Sequence, residues 1–246
     1  MSAEKIGHFK IDKIYCGDSL ILMKDLPDSS IDLIVTDPPF AIDFKAKRNN
    51  YNRTQTRVLE GYNEIPKEKY YDFTLGWLKE AYRILKNTGS MYVFSGWTNL
   101  KDILNAIDAV GFLTINHLIW KYQFGVFTKR KYVTSHYHIL FVVKDKKRYK
   151  FNKIEHYPED VWIINREYWT GKTKTPTKLP VELVKKILRF SSNKGDLVLD
   201  PFIGSGTVAL VAKMLGRHYL GFEIVPEYCR FAKKRVENVQ VNLFKE

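Results

Sequence analysis

Hydrophobic and polar positions along the chain follow two alternating periods. Short apolar runs at Lys13–Cys16, Asp32–Thr36, Ser90–Ser95, Thr114–Lys121, Tyr137–Lys144, Asp196–Leu199 and His218–Phe222 have the length of strands. Several are apolar at nearly every position, as strands buried on both faces of a parallel sheet must be. Between them the spacing becomes helical. Tyr70–Leu85 places Phe73, Trp77, Leu78, Tyr82 and Leu85 on one stripe, and Asn99–Val110 ends at Gly111. Later helices are predicted over Lys178–Phe190, Ser205–Leu215 and Pro226–Asn238, the last opened by a proline suited to a first helical position. Strands alternating with helices predict an α/β fold, with seven strands in a mostly parallel sheet and helices on both faces.

Two stretches break this rhythm. Ala41–Lys69 is polar and basic and reads as a long loop of the functional or mobile kind. Asp145–Lys174 is basic and aromatic, with little periodicity beyond Val161–Ile164, and reads as a small insert. The chain of 246 residues, 45% of them hydrophobic, suffices for one domain carrying that insert. It divides into 1–144, the insert 145–174, and 175–246. No apolar run is long enough to span a bilayer, and Met1–Lys10 lacks the apolar core of a secretion signal, so the expected setting is the cytoplasm, away from membranes. Cys16 and Cys229 each sit among apolar neighbours, as buried thiols do. Two thiols without a histidine cluster favour neither a disulfide nor a metal site.

Charge changes the picture. The net charge is +13, and Lys129–Lys153 holds nine Lys or Arg against the single acid Asp145. Tyr132, Tyr137, Tyr149 and Phe151 are interleaved with that charge. Backbone neutralisation combined with ring stacking is the footprint of a nucleic-acid partner. A merely solvated basic face, or a ribosomal or membrane-surface partner, would share the charge.

Two short motifs carry candidate chemistry. Near the C-terminus, Leu197–Asp200 leads through Pro201, Phe202, Ile203, Gly204, Ser205 and Gly206 to Thr207, which is a strand, a tight turn and a helix start. Glycines there let the backbone approach a ligand, and the helix start presents free N–H groups. Glu223, seventeen residues past Gly206, ends the next strand, where an acid can accept from ribose hydroxyls. The turn lacks the third glycine of a dinucleotide fingerprint, and an acid at Asp200 suits a cofactor carrying an amine and a sulfonium better than a pyrophosphate. Near the N-terminus, a buried strand runs straight into Asp37-Pro38-Pro39-Phe40. The exocyclic amine of a base is a weak nucleophile because its lone pair is delocalised into the ring. A carboxylate at Asp37 and the carbonyl of Pro38 can each accept one of its N–H groups, which favours a pyramidal nitrogen aimed at an electrophile. The prolines fix the backbone, and Phe40 offers a face on which a base stacks.

The pair of motifs resembles the amino-methylating DNA methyltransferases that act on adenine N6 or cytosine N4. Their order matches the permuted β group of that family, and the resemblance covers almost the whole chain. It implies a Rossmann-like methyltransferase fold, with S-adenosylmethionine as cofactor, double-stranded DNA as substrate and no metal. By that resemblance Asp37, Pro38, Pro39 and Phe40 are catalytic, although the family more often has Tyr at the Phe40 position. Asp200, Phe202, Gly204, Ser205, Gly206 and Thr207 would line the cofactor's methionine end and Glu223 its ribose. Asp18 would meet its adenine, unless it is simply a helix N-cap. Thr175 and Pro176 belong to a segment that closes over the methionine portion. Here Thr175 and Leu179 depart from the family's usual His or Lys before the first proline and Lys before the second.

The residues 1–144 then form a catalytic half, 145–174 a target-recognition insert and 175–246 a cofactor half. Lys45, Lys47, Arg48, Arg53 and Arg57 would close over DNA or a flipped base. Lys129, Arg130, Lys131, Lys146, Lys147 and Arg148 would meet phosphates, with Arg148, Asn152, Asn165 and Arg166 as candidate readers of bases. A homodimer and a cognate restriction endonuclease are further partners that such enzymes admit. Asp at the first motif position favours adenine N6, with cytosine N4 the alternative. RNA and protein-glutamine methyltransferases are rivals of the same chemistry, though the glutamine enzymes carry Asn where this chain has Asp37. A catalytically silent nucleic-acid-binding protein and a nicotinamide oxidoreductase are rivals of other classes.

Overall fold

The computed structural model describes residues 4–40, 65–123, 125, 128–167 and 178–239. Strands β1 (Lys5–Ile6) and β2 (Phe9–Lys10) form a small antiparallel pair ahead of the main sheet. Then follow β3 (Lys13–Cys16), the short helix α1 (Ser19–Leu22), β4 (Ile31–Thr36), α2 (Tyr70–Ile84), β5 (Leu85–Ser95) and α3 (Trp97–Val110). The chain continues through β6 (Leu113–Lys121), β7 (His136–Val143), β8 (Val161–Ile163), α4 (Val181–Ser191), β9 (Leu197–Asp200), α5 (Thr207–Met214), β10 (His218–Glu223) and α6 (Pro226–Glu237). All seven strands expected from the hydrophobic pattern join one sheet, in the order β3-β10-β9-β4-β5-β7-β6-β8.

That sheet has eight strands instead of seven. The eighth, β8, comes from the expected insert and pairs in parallel with the end of β6. Trp162 explains its position: the indole is buried in the main core and donates to the Glu159 carbonyl at 2.8 Å. The described part of 145–174 is therefore built onto the sheet edge. The sheet is parallel except around β7, which runs antiparallel to both β5 and β6.

Successive residues of each central strand point to opposite faces, and each face is covered by helices. Leu33, Val35, Tyr92, Phe94, Ile139 and Phe141 pack beneath α4, α5 and α6. Ile34, Met91, Val93, Leu140 and Val142 pack beneath α2 and α3, where Trp77 and Leu78 of the expected stripe are fully buried. Each such side chain stabilises the fold by roughly 1.5–3 kcal/mol relative to exposure. This two-sided burial also fixes register, because a slip of one residue would exchange the faces. Helix α3 ends where expected, on Gly111 at φ 94°.

Two of the aromatic residues expected to alternate with charge for nucleic-acid stacking have other uses. Tyr149 and Phe151 pack on Phe141, with centroids 5.7 and 6.2 Å apart. The thiols also depart from expectation: Cys229 is buried but Cys16, on the edge strand β3, is exposed. Loop 41–69 lies mostly outside the described residues, but its end, Lys67–Lys69, forms a helical turn that leads into α2.

Candidate active site

The carboxyl ends of β3, β4, β9 and β10 meet at one end of the sheet, the place where open α/β folds put their ligands. β4 is anchored at its other end by Asp32, which accepts from Lys86 Nζ at 2.8 Å and from the Leu197 backbone N–H at 3.0 Å. With its start fastened to both neighbouring strands, β4 delivers Asp37 at a defined height. Asp37 is half-buried, but its Oδ1 is fully buried and among the described residues has no hydrogen-bond partner. Burial pushes its carboxyl up to about 7. A buried polar oxygen without a partner is costly, and a donor from a ligand would remove that cost. Phe40, 6% exposed, lies against Tyr137 with ring centroids 6.1 Å apart and planes at 26°.

The glycine turn between β9 and α5 is held by two acids. Asp200 Oδ1 accepts from the Phe202 N–H at 3.1 Å, and Glu223 Oε2 accepts from the Gly204 N–H at 2.9 Å. Glu223 Oε1 accepts from the Val225 N–H at 2.9 Å. Gly206 has φ 80°, and a Cβ on it would meet the Ala232 Cβ at 3.0 Å, so the turn needs glycine both for its backbone and for its contact with α6. Burial pushes Asp200 up to about 8, the Phe202 N–H and Thr36 oppose this, and the charges of Asp37 and Glu223 add to it. Glu223 is raised too, by burial against the N–H groups of Val225, Gly204 and Ile224.

Asp18 caps α1, accepting from the Leu20 N–H at 2.9 Å, and it also faces the cavity. That cavity, of about 300 Å³, is bounded by Asp18, Asp37, Phe40, Gly204, Ser205 and Glu223 together with apolar walls. A smaller one of about 40 Å³ continues between Asp37, Asp200, Lys178 and Thr207. The two motifs, far apart in sequence, are thus two sides of one space. Thr175 and Pro176 lie outside the described residues.

Several residues of the site were not singled out by their sequence. Phe73 and Trp77 of α2 pack on Phe202 at 5.8 and 5.7 Å and fix the turn from the opposite face, and Phe73 lines the cavity. Their helical spacing read only as core. Ile224, Val225 and Tyr228 form the wall beyond Glu223, and the apolar pair following an acid was the available signal. Arg235 Nη1 donates to the Ser205 carbonyl at 2.9 Å and to Thr207 Oγ1 at 2.8 Å, tying α6 to the turn. A lone arginine in an amphipathic helix gives no such signal. Glu167 pairs with Lys178 at 2.6 Å and accepts from the Val181 N–H at 2.6 Å, so the two ends of the stretch 168–177 are held together.

The basic residues divide between the two ends of the sheet. Lys129, Arg130 and Lys131 are exposed in the β6–β7 connection, which opens at the same end as Asp37 because β7 is antiparallel. Tyr132 beside them is 99% exposed. Lys146, Lys147 and Arg148 follow the far end of β7, next to the start of β5, so a surface shared with Asp37 does not include them. Arg148 pairs there with Asp145 at 2.5 Å. Asn152, an expected reader of bases, directs its amide to the Arg189 and Ser192 carbonyls and to Asn193 Oδ1, and so braces the end of α4. Asn165 is exposed. Arg166 lays its guanidinium 3.7 Å from the Tyr122 ring centroid, and Gln123 accepts from its backbone N–H at 2.8 Å. Lys45, Lys47, Arg48, Arg53 and Arg57 lie outside the described residues.

Known proteins share this arrangement. A family model described as DNA methylase, of the N6/N4 type, matches residues 31–234. The Type II methyltransferase M.HpaI of Haemophilus parainfluenzae is 32% identical over 92% of this chain and 74% of its own length. A crystal structure of an M1.HpyAVI–SAM complex superposes with a TM-score of 0.70 at 28% identity, covering 92% of this chain and 99% of that one. The cytosine-N4-specific PvuII DNA methyltransferase shares the fold, with a TM-score of 0.71 at 22% identity over 94% of this chain and 87% of its own.

Proposed function

Because the chain belongs to the N6/N4 DNA methylase family and takes S-adenosylmethionine as its cofactor, we propose that it methylates the N6 amine of adenine in double-stranded DNA, with Asp37 holding that amine. The observation that carries this reading is Asp37, which lines the cavity and whose buried Oδ1 has no hydrogen-bond partner among the described residues. Aspartate at this motif position, where serine more often accompanies cytosine, favours adenine.

The cavity suits the cofactor. Its acids Asp18 and Glu223, with Asp200 lining the smaller cavity beside it, suit a ligand bearing an amine and a sulfonium, and its walls of Phe73, Ile224 and Val225 suit the flat adenine and the apolar parts of such a ligand. Bound there, S-adenosylmethionine supplies an electrophilic methyl carbon. Glu223 accepts from ribose hydroxyls through the lone pairs that Gly204 and Val225 leave available, since an ionised carboxylate has about four acceptor sites. Asp200, which lines the smaller cavity, would be held in its ionised form by the positive groups of a bound cofactor. Phe40, braced by Tyr137, stacks on a base that has left the duplex. Asp37 and the Pro38 carbonyl accept the two amine N–H groups and turn the nitrogen lone pair toward the methyl carbon. After transfer the amine is cationic and its proton is acidic, so Asp37, poised near 7, can receive it.

The same end of the sheet presents Lys129, Arg130 and Lys131 to phosphates. The test is digestion and mass spectrometry of duplex DNA incubated with labelled cofactor. N6-methyladenine is the expected product, and N4-methylcytosine would overturn the assignment of the base.

A further inference from the structure

Three aromatic rings are stacked in a column that ends at the cavity. Phe40 lines the cavity, Tyr137 does not, and the two rings stack with centroids 6.1 Å apart and planes at 26°. Trp120 is the direct partner of Tyr137 across β6 and β7, and its ring stacks on Tyr137 at 5.7 Å and 22°. Trp120 comes from β6 on one side of β7, and Phe40 follows β4 beyond β5 on the other, so Tyr137 is the middle ring. Where β5 ends, a Cβ on Gly96 would lie 3.9 Å from the Tyr137 ring, so a longer side chain there would crowd it. The far end of the column is fastened by the chain that follows β8. Trp120 Nε1 donates to the Ile164 carbonyl at 2.8 Å, and the Ile164 N–H donates to the Lys121 carbonyl at 3.1 Å. The Arg166 guanidinium lies 3.7 Å from the ring centroid of Tyr122 and 5.8 Å from that of Tyr137.

We propose that Tyr137 is a positioning residue for methyl transfer, which sets the plane of the Phe40 ring on which the flipped base stacks. This rests on the reading of Phe40 as the stacking platform. A phenylalanine ring turns about its side-chain bonds unless a neighbour restricts it. Stacking of a base on that ring depends on the two faces overlapping in nearly parallel planes. The amine nitrogen meets the methyl carbon in line in only one orientation of the base, so a tilt of Phe40 is carried to the reacting atom. Tyr137 can hold that plane because it is itself held. Its strand is paired on both sides, by β5 and by β6, and Trp120 backs its ring. Through Trp120 and Tyr137, residues 164–166 of the expected target-recognition insert reach the ring that receives the base.

The test is a double-mutant cycle on the whole protein, read as the single-turnover rate of labelled methyl transfer to unmethylated genomic DNA. Tyr137→Leu should slow transfer by about 3- to 10-fold, the scale of one aromatic pair, and leave the affinities for S-adenosylmethionine and DNA unchanged. Tyr137→Phe should restore the rate, since the ring supplies the contact. Phe40→Leu should slow transfer at least as much, and adding Tyr137→Leu to it should cost nothing more. A merely structural role would slow both backgrounds alike. No slowing by Tyr137→Leu, equal slowing on both backgrounds, or a Tyr137→Phe protein as slow as Tyr137→Leu would each overturn the proposal. A Phe40→Leu protein with the wild-type rate would instead remove Phe40 as the platform, and the reading beneath the proposal with it. Cofactor binding by calorimetry shows that each variant is folded, and Tyr137→Val, suited to a strand, replaces a Tyr137→Leu protein that fails this control. The rate counts methyl groups whichever base receives them, so it does not depend on the choice between adenine and cytosine.

Discussion

The two ends of the central sheet are built from the same residue types and use them in opposite ways. At the amino end, acids meet cations: Asp32 with Lys86 at 2.8 Å, Asp145 with Arg148 at 2.5 Å, Asp196 with Lys150, and Arg83 with Asp28 and Glu80 at 2.6 and 2.7 Å. At the carboxyl end, Asp37, Asp200 and Glu223 have no ion pair among the described residues, and burial raises the carboxyl pKa of each. Acids matched by cations complete a structure, whereas buried acids without a cation, such as these, are the kind that a ligand's positive charge would stabilise. This contrast locates the site more sharply than the total charge of +13.

The largest expected effect lies in comparing the two ends of β4. Asp37→Ala should cut turnover by about a hundred- to a thousandfold or more, as loss of an oriented electrostatic contact does. Its S-adenosylmethionine affinity should stay within about threefold, well short of the tenfold that 1.4 kcal/mol represents. Asp32→Ala, at the start of the same strand, should lower the melting temperature and leave the turnover of folded enzyme near wild type. Equal losses of turnover would dissolve the distinction between the ends. Next comes Glu223→Ala, expected to weaken S-adenosylmethionine by roughly 30- to 150-fold, the cost of a charged hydrogen-bond pair of about 2–3 kcal/mol. An unchanged dissociation constant in calorimetry would remove Glu223 from the ribose.

Lysines and arginines allow the same comparison on the surface. Lys129, Arg130 and Lys131 changed together to Ala should lower the log–log slope of DNA affinity against salt by about 1 per residue that touches phosphate. The matching change of Lys146, Lys147 and Arg148 should leave that slope as it is. Fluorescence anisotropy on cognate and random duplexes reads both, and a flattened slope from the second triple would bring the amino end into the DNA surface. The smallest effect is that of pH. Asp37 near 7 and Asp200 near 8 keep protons that the unfolded chain loses near 3.8. Their contribution to stability is therefore full below about pH 4 and is lost as pH rises through 7 and 8. The cofactor-free protein should lose thermal stability over that window, while affinity for the cationic cofactor rises by a few-fold as the acids ionise. An Asp200→Asn protein with the wild-type pH profile would exclude Asp200 as the source.

Much of this was legible along the chain because it depends on neighbours in sequence. The seven strands and five principal helices follow from burial at periods of two and 3.6 residues, and the two motifs sit on consecutive residues. What escaped was marginal or non-local. Strand β8 is three residues long and exists because Trp162 finds a place in the core, while α1 is a single turn capped by Asp18. Asn152 and Arg148 have the chemistry of base readers, yet one braces α4 and the other pairs with Asp145.

The sequence by itself determined the fold class, the order of its elements, the two motifs and the cofactor they imply. The tertiary structure alone decided that Asp37 and Glu223 share one cavity and that Arg235 holds the glycine turn. It also divided one continuous basic run between two ends of the sheet, because β7 turns back against its neighbours. The reason is physical. Local hydrogen bonding and side-chain burial repeat with the spacing of the chain, whereas meetings across the sheet depend on strand order and direction.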